Sequence, residues 1–282
     1  MLDHNKIRKK IESKFSGIDY ENEKINGLTI NSQGHEGGVK VENWVEKKLE
    51  EIEWNASVFS SEDFIENYLE SIGRDEKRVS EELCDKWWGL KVLVTKKQID
   101  EFLANKKVSK WQQAFADIVI FYGGDMTVNP NKLFLINVKS HNVEKKGRHP
   151  NIVSSLRVMR LFRDILIRED ANQSIKELNL FFIGVDFSPK LEYADVKKTY
   201  IKDFFKLDVG KIPQINFDAA IQMQWHVDEM VEIEQNKYDM IKNFSSLVYE
   251  KWKEQAKRRT LQFKKLHDTI EIGIEEKRDQ IE

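Results

Sequence analysis

Ile118-Val119-Ile120-Phe121-Tyr122 and Leu133-Phe134-Leu135-Ile136-Asn137-Val138-Lys139, separated by Gly123-Gly124-Asp125 and Asn129-Pro130-Asn131, form the stretch on which the fold turns. Both outer runs are β-branched and aromatic, and the segment between them is rich in turn formers. The pattern predicts two antiparallel strands joined by a loop. Asp117 opens the first strand, and Asn137 and Lys139 close the second. In an antiparallel pair those ends are neighbours. The two-residue period turns Asn137 and Lys139 to one face while Ile136 and Val138 enter the core. A carboxylate, an amide and an ammonium therefore meet at the rim of a sheet.

Outward from this hairpin the chain alternates helices and strands. Towards the N-terminus, Ile7, Ile11 and Phe15 mark a short helix within a lysine-rich arm over about residues 1–30. Glycines punctuate Ser32-Gln33-Gly34-His35-Glu36-Gly37-Gly38, and a helix with Val41, Trp44, Val45 and Leu49 inward follows. Phe64, Tyr68, Leu69 and Ile72 make a further helical stripe that Gly73 ends. Beyond the hairpin, the pattern gives a helix from about Ile152 to Arg168 and a buried strand over Leu180-Phe181-Phe182-Ile183-Gly184-Val185. In Ala220-Ile221-Gln222-Met223-Gln224-Trp225-His226-Val227 apolar and polar residues alternate, so one face is core and the other offers Gln222, Gln224 and His226. From about Tyr238 the chain reads as helix to its end, with a basic run at Lys257-Arg258-Arg259 and Lys264-Lys265. The expected class is α/β: one domain over residues 1–282, strands central, with a helical tail over 236–282 suited to contact a second subunit or DNA.

Composition narrows the setting. With 282 residues, 40% hydrophobic and 33% charged, the chain can bury a substantial core. A net charge of −2 means that any affinity for nucleic acid must come from local clusters, not from an overall field. The single Cys84 permits no internal disulfide, and no apolar run has the length of a membrane span. A soluble cytoplasmic protein is expected. Lone histidines such as His35 and His226 lack a second histidine at ligand spacing, and the glycine-rich segment at 32–38 lacks the Gly-Lys-Ser/Thr ending of a phosphate loop.

Asp117, Asn137 and Lys139 resemble the Asp…(Asp/Glu)-x-Lys core of metal-dependent nucleases. There, two acidic groups hold Mg2+, which takes hard oxygen ligands, and the lysine orients water or stabilises charge on the phosphate. More of the chain resembles the HindII/HincII group of type II restriction endonucleases: Ser32 to Leu49, Ala116-Asp117-Ile118, Val138-Lys139, Pro150-Asn151-Ile152-Val153-Ser154, Ile215-Asn216, and Ala219 through Val227. The resemblance implies a restriction-endonuclease-like mixed β-sheet flanked by helices. It also implies a homodimer on a short palindromic site in double-stranded DNA, Mg2+ as cofactor, and blunt ends with 5′-phosphates. Asp117 and Asn137 take the metal positions, Lys139 is the catalytic lysine, and Glu42 lies on a helix that abuts the site. Asn151 and Asn216 match DNA-facing positions, where an Asn side chain suits an adenine edge. Arg148 and His149 occupy a loop near the central base steps, with side chains that depart from the group's pattern. Gln222 and Gln224 are candidate groove or phosphate contacts.

Asn137 is the main departure, since the group has a carboxylate there. An amide keeps one oxygen but not the charge, which weakens a divalent-cation site. Three readings stay open: an engineered change that traps uncut DNA, a natural variant in which Glu42 or Asp125 serves the metal, or a homologue that binds without cutting. A structure-selective repair or recombination nuclease is the competing enzymatic expectation.

Overall fold

The computed structural model of the chain describes residues 4–32, 34–73, 96–104, 116–126, 132–145, 150–217 and 221–278. Its centre is a six-stranded sheet. The elements run in order α1 (His4–Ser16), β1 (Lys24–Asn26), α2 (Gly34–Glu50), β2 (Ser57–Ser60), α3 (Ser61–Ile72), α4 (Lys96–Leu103), β3 (Ile118–Phe121) and β4 (Leu133–Asn142). There follow β5 (Asn151–Ser154), α5 (Ser155–Leu166), α6 (Ala171–Glu177), β6 (Leu180–Pro189), β7 (Tyr193–Asp203), β8 (Gln214–Asn216), β9 (Gln222–Gln224) and α7 (Lys237–Arg278). The strand order is β1-β7-β6-β4-β3-β2, with β4 and β6 parallel and every other neighbour antiparallel. This is the mixed sheet flanked by helices that the sequence predicts.

The hairpin forms with Ile118 opposite Ile136 and Phe121 opposite Leu133. Alternation along its strands sorts the core in two. Ile118, Ile120, Phe134, Ile136 and Val138 pack on one face with Ile7, Ile11 and Phe15 of α1 and Val41, Trp44, Val45 and Leu49 of α2. Val119, Phe121, Leu133 and Leu135 pack on the other with Val158, Leu161, Phe162 and Ile165 of α5 and Phe244 and Val248 of α7. A second sheet, β5-β9-β8, belongs to this latter side.

Three expectations need correction, and one strand was not foreseen. The N-terminal segment is built into the body, because Ile7, Ile11 and Phe15 are buried and β1 closes one edge of the sheet against β7. The segment from Asn151 starts as a strand, since Asn151, Val153 and Ser154 pair with β9; Ser154 also accepts a hydrogen bond from Arg157 N at 3.3 Å and begins α5. Strand β4 does not stop at Lys139 but continues to Asn142 alongside β6, so Asn137 and Lys139 lie inside the sheet, where β3 has already ended. Strand β7, with Tyr193-Ala194-Asp195-Val196-Lys197-Lys198 at its start, forms through main-chain pairing with β6 despite its charged, half-exposed sequence. Gly73 does end α3, its N–H bonded to Glu70 O at 3.2 Å, and Met223, Trp225 and Val227 are buried as the alternation requires. Cys84 and the turn at Asn129-Pro130-Asn131 lie outside the described residues. Among those described, no helix is long and apolar enough to cross a membrane.

Candidate active site

Strand β3 starts one residue after Asp117, while its partner β4 runs on, and that mismatch opens the site. Asp117 is pinned from three directions. Its N–H donates to Ile136 O at 2.8 Å, and its carbonyl accepts from Ser61 N at 3.0 Å. The fully buried Ser61 hydroxyl also donates to Ala116 O at 2.5 Å and bridges to Asp117 O at 3.0 Å. At the side chain, Val138 N donates to Asp117 Oδ2 at 2.7 Å, which fixes the carboxylate across the gap left by β3. Burial raises the pKa of this carboxyl, opposed by the charge of Lys139 and by the Val138 N–H. A carboxylate held at such a cost in desolvation is a familiar sign of a functional site.

Asn137 and Lys139 follow on the same face of β4. Asn137 is only 7% exposed, and its Oδ1 is an acceptor to which no described donor is hydrogen-bonded. Asp117, Asn137 and Lys139 line one cleft of about 240 Å³ together with Ala116, Asn151, Ile152, Val153, Ser154, Arg157 and Gln222. The cleft thus lies between the hairpin and the β5-β9 pair. Main sheet and small sheet bring together five of the predicted residues: Asp117, Asn137, Lys139, Asn151 and Gln222.

Other predicted residues fall elsewhere. Glu42 belongs to α2, which packs on the opposite face of the sheet, and it does not line the cleft. Asp125 lies past the far end of β3 from Asp117. Gln224 stands opposite Asn151 in the β5–β9 register, and its Nε2 donates to Asn151 Oδ1 at 2.8 Å, so the two amides bind each other. Asn216 lines a separate cleft of about 390 Å³ with Phe217, Lys251 and Arg258, the last from the basic run of α7. Arg148 and His149 lie outside the described residues.

The structure also shows participants that the sequence reading missed. Ser61 is one and Arg157, in the first turn of α5, is another; both sit at strand-to-helix junctions whose positions the periodicity blurs. Beyond Lys139, His141 Nδ1 lies 3.1 Å from Asp186 Oδ1, and the rings of His141 and His226 are 4.6 Å apart. Tyr200 donates to Asp186 Oδ2 at 3.1 Å. Burial and the Asp186 charge push the Tyr200 phenol upward from its ordinary value. His226 reaches this cluster because the main chain before Val227 passes close over β6: a Cβ on Gly184 would stand 2.7 Å from Val227 Cβ.

As chemistry, the cleft offers a restrained carboxylate, a buried amide oxygen and an ammonium within one hollow. Among the described residues no group of three or more His, Cys, Asp or Glu side chains is placed to hold a metal. Asp117 and Asn137 nevertheless supply two hard oxygens, and Mg2+ habitually completes its shell with water and substrate phosphate, so the residues fit that ion. No curated protein matches the chain. Residues 81–269, well over half of the 282, match the family model described as restriction endonuclease HincII, and the matched span contains Asp117, Asn137, Lys139, Asn151, Asn216, Gln222 and Gln224. The chain belongs to the HincII restriction endonuclease family.

Proposed function

We propose that this chain is a type II endonuclease that cuts double-stranded DNA at a short palindromic site, as a cytoplasmic homodimer with Mg2+ as cofactor, leaving blunt ends with 5′-phosphates. The observation that carries the reading is the single cleft shared by Asp117, Asn137 and Lys139 with Asn151 and Gln222. Reactive groups and side chains able to read base edges are there side by side, which favours a site-specific over a structure-selective nuclease.

Each residue has a role that its placement supports. Asp117, with Oδ2 tied to the Val138 N–H, keeps its other oxygen for the cation or the attacking water. Lys139 presents an ammonium that donates to the water or to a non-bridging phosphate oxygen and stabilises charge as it builds there. Asn137 contributes an amide dipole where a second carboxylate is expected. A bound Mg2+ would supply charge neutralisation and a lowered pKa for water.

Asn137 also supports a second reading, a protein that binds its site without cutting. Digestion of a sequenced plasmid separates the two. In Mg2+, Asn137→Asp should cut into discrete fragments, roughly 100-fold or more faster than the parent chain, equivalent to about 3 kcal/mol of barrier. Tight site-specific binding with no gain in cutting would establish the binding-only reading. Cutting directed to junctions or flaps would move the assignment to a structure-selective nuclease.

A further inference from the structure

The motif does not account for every charge in the cleft. Arg157 lines it beside Asp117, Asn137 and Lys139, and its side chain is exposed there. Three other arginines are matched by acids: Arg8 with Glu12 at 2.7 Å, Arg163 with Asp164 at 2.6 Å, Arg168 with Asp170 at 2.6 Å. Arg157 forms no ion pair or side-chain hydrogen bond among the described residues. Its position is nonetheless built, since its backbone N–H is the group capped by Ser154 Oγ and Ser154 is itself buried. A guanidinium with no acid paired to it among the described residues, at the opening of a cleft, awaits an anion from outside.

Charge bookkeeping in the cleft leads the same way. Of the ten described residues that line it, only Asp117, Lys139 and Arg157 are ionic, one acid against two bases. The formal charge is therefore +1, where an aspartate at 137 would make it zero. The same wall carries the first turn of α5, whose N–H groups add positive potential. An uncharged Asn137, which weakens a cation site, leaves a cleft that attracts phosphate by itself.

We propose that Arg157 is a phosphate-binding residue of this cleft, gripping a phosphodiester of the bound strand together with Lys139, and that the chain in consequence holds DNA without any divalent cation. The assignment rests on the nuclease reading and names a substrate contact within that site. Lys139 enters from β4 of the main sheet and Arg157 from the first turn of α5, so the pair clamps a phosphate from two sides. A planar guanidinium suits two oxygens at once, and Lys139 acts as a point charge.

Fluorescence anisotropy in EDTA, with a labelled pool of random-sequence 30-base-pair duplexes over a range of NaCl concentrations, tests it. The parent chain should bind. Arg157→Gln should weaken binding about tenfold and make the slope of log affinity against log salt shallower by about 1, the signature of one lost phosphate contact. Arg157→Lys should restore most of the slope. Asn137→Asp should weaken binding several-fold in EDTA, because it cancels the net charge. Unchanged affinity and slope for Arg157→Gln, with the parent chain binding normally, would overturn the Arg157 assignment alone. Equal binding by Asn137→Asp in EDTA would overturn the charge argument. A parent chain that binds duplex in Ca2+ but not in EDTA would overturn cation-free binding and leave the nuclease reading standing, whereas one that binds no duplex with or without Ca2+ would overturn the nuclease reading itself.

Discussion

Asp117 is the residue on which the site depends, and most of what holds it is backbone. Ser61 belongs to this support although no motif includes it: its hydroxyl donates to the consecutive carbonyls of Ala116 and Asp117 from a fully buried position. Removing the hydroxyl leaves buried carbonyl lone pairs with fewer donors, worth about 1–3 kcal/mol. Ser61→Ala should therefore lower stability by about that amount in a urea titration, and should reduce the cutting rate of the Asn137→Asp enzyme more than its DNA affinity. Equal losses in rate and affinity would mean that Ser61 serves the fold and not the aim of Asp117. Asp117, Asn137 and Lys139 were legible in the sequence because a hairpin pattern fixes which side chains share a face. Ser61 and Arg157 were not, because each depends on where a strand turns into a helix, and an apolar run such as Ile152-Val153 reads equally as either.

At the scale of elements, the chain that follows β9 crosses close over β6 and brings His226 beside His141. Gly184 permits that approach. An added methyl at 2.7 Å from Val227 Cβ has no room, and its neighbour is a stiff β-branched side chain. Gly184→Ala should destabilise by about 1–3 kcal/mol through overpacking. Val227→Ala in the same chain should recover part of the loss, and a double-mutant cycle of denaturation midpoints measures the coupling. Simple additivity of the two changes would rule out the contact as the cause. The alternation at 221–227 predicted which residues of β9 are buried. The pairing of β9 with β5 was not predictable, since β5 lies far away in sequence and pairing at that range leaves little local trace. The long β7 escaped for a related reason: Lys197 and Lys198 are exposed, and main-chain bonds to β6 carry it.

At the scale of the molecule, the helical tail is two things in one element. Met240, Ile241, Phe244 and Val248 seat the first turns of α7 on the body, whereas Leu261, Phe263, Leu266, Ile270 and Ile274 are each more than half exposed. The sequence showed a helix, but not where along it the body ends, because apolar residues continue into the exposed part. At 1.5 Å per residue the 42 residues of α7 span about 63 Å, whereas a compact body of this chain length has a radius of gyration near 19 Å by the usual scaling (about 2.2 Å times the 0.38 power of length). The protein is therefore not a sphere but a body with a spar. Its maximum dimension is set by one helix, and small-angle scattering should show a pair-distance distribution with a long, low tail. Truncation after Gln255 should remove that tail and leave the main peak where it was. A single symmetric peak in the full-length chain would mean that the spar lies folded against the body.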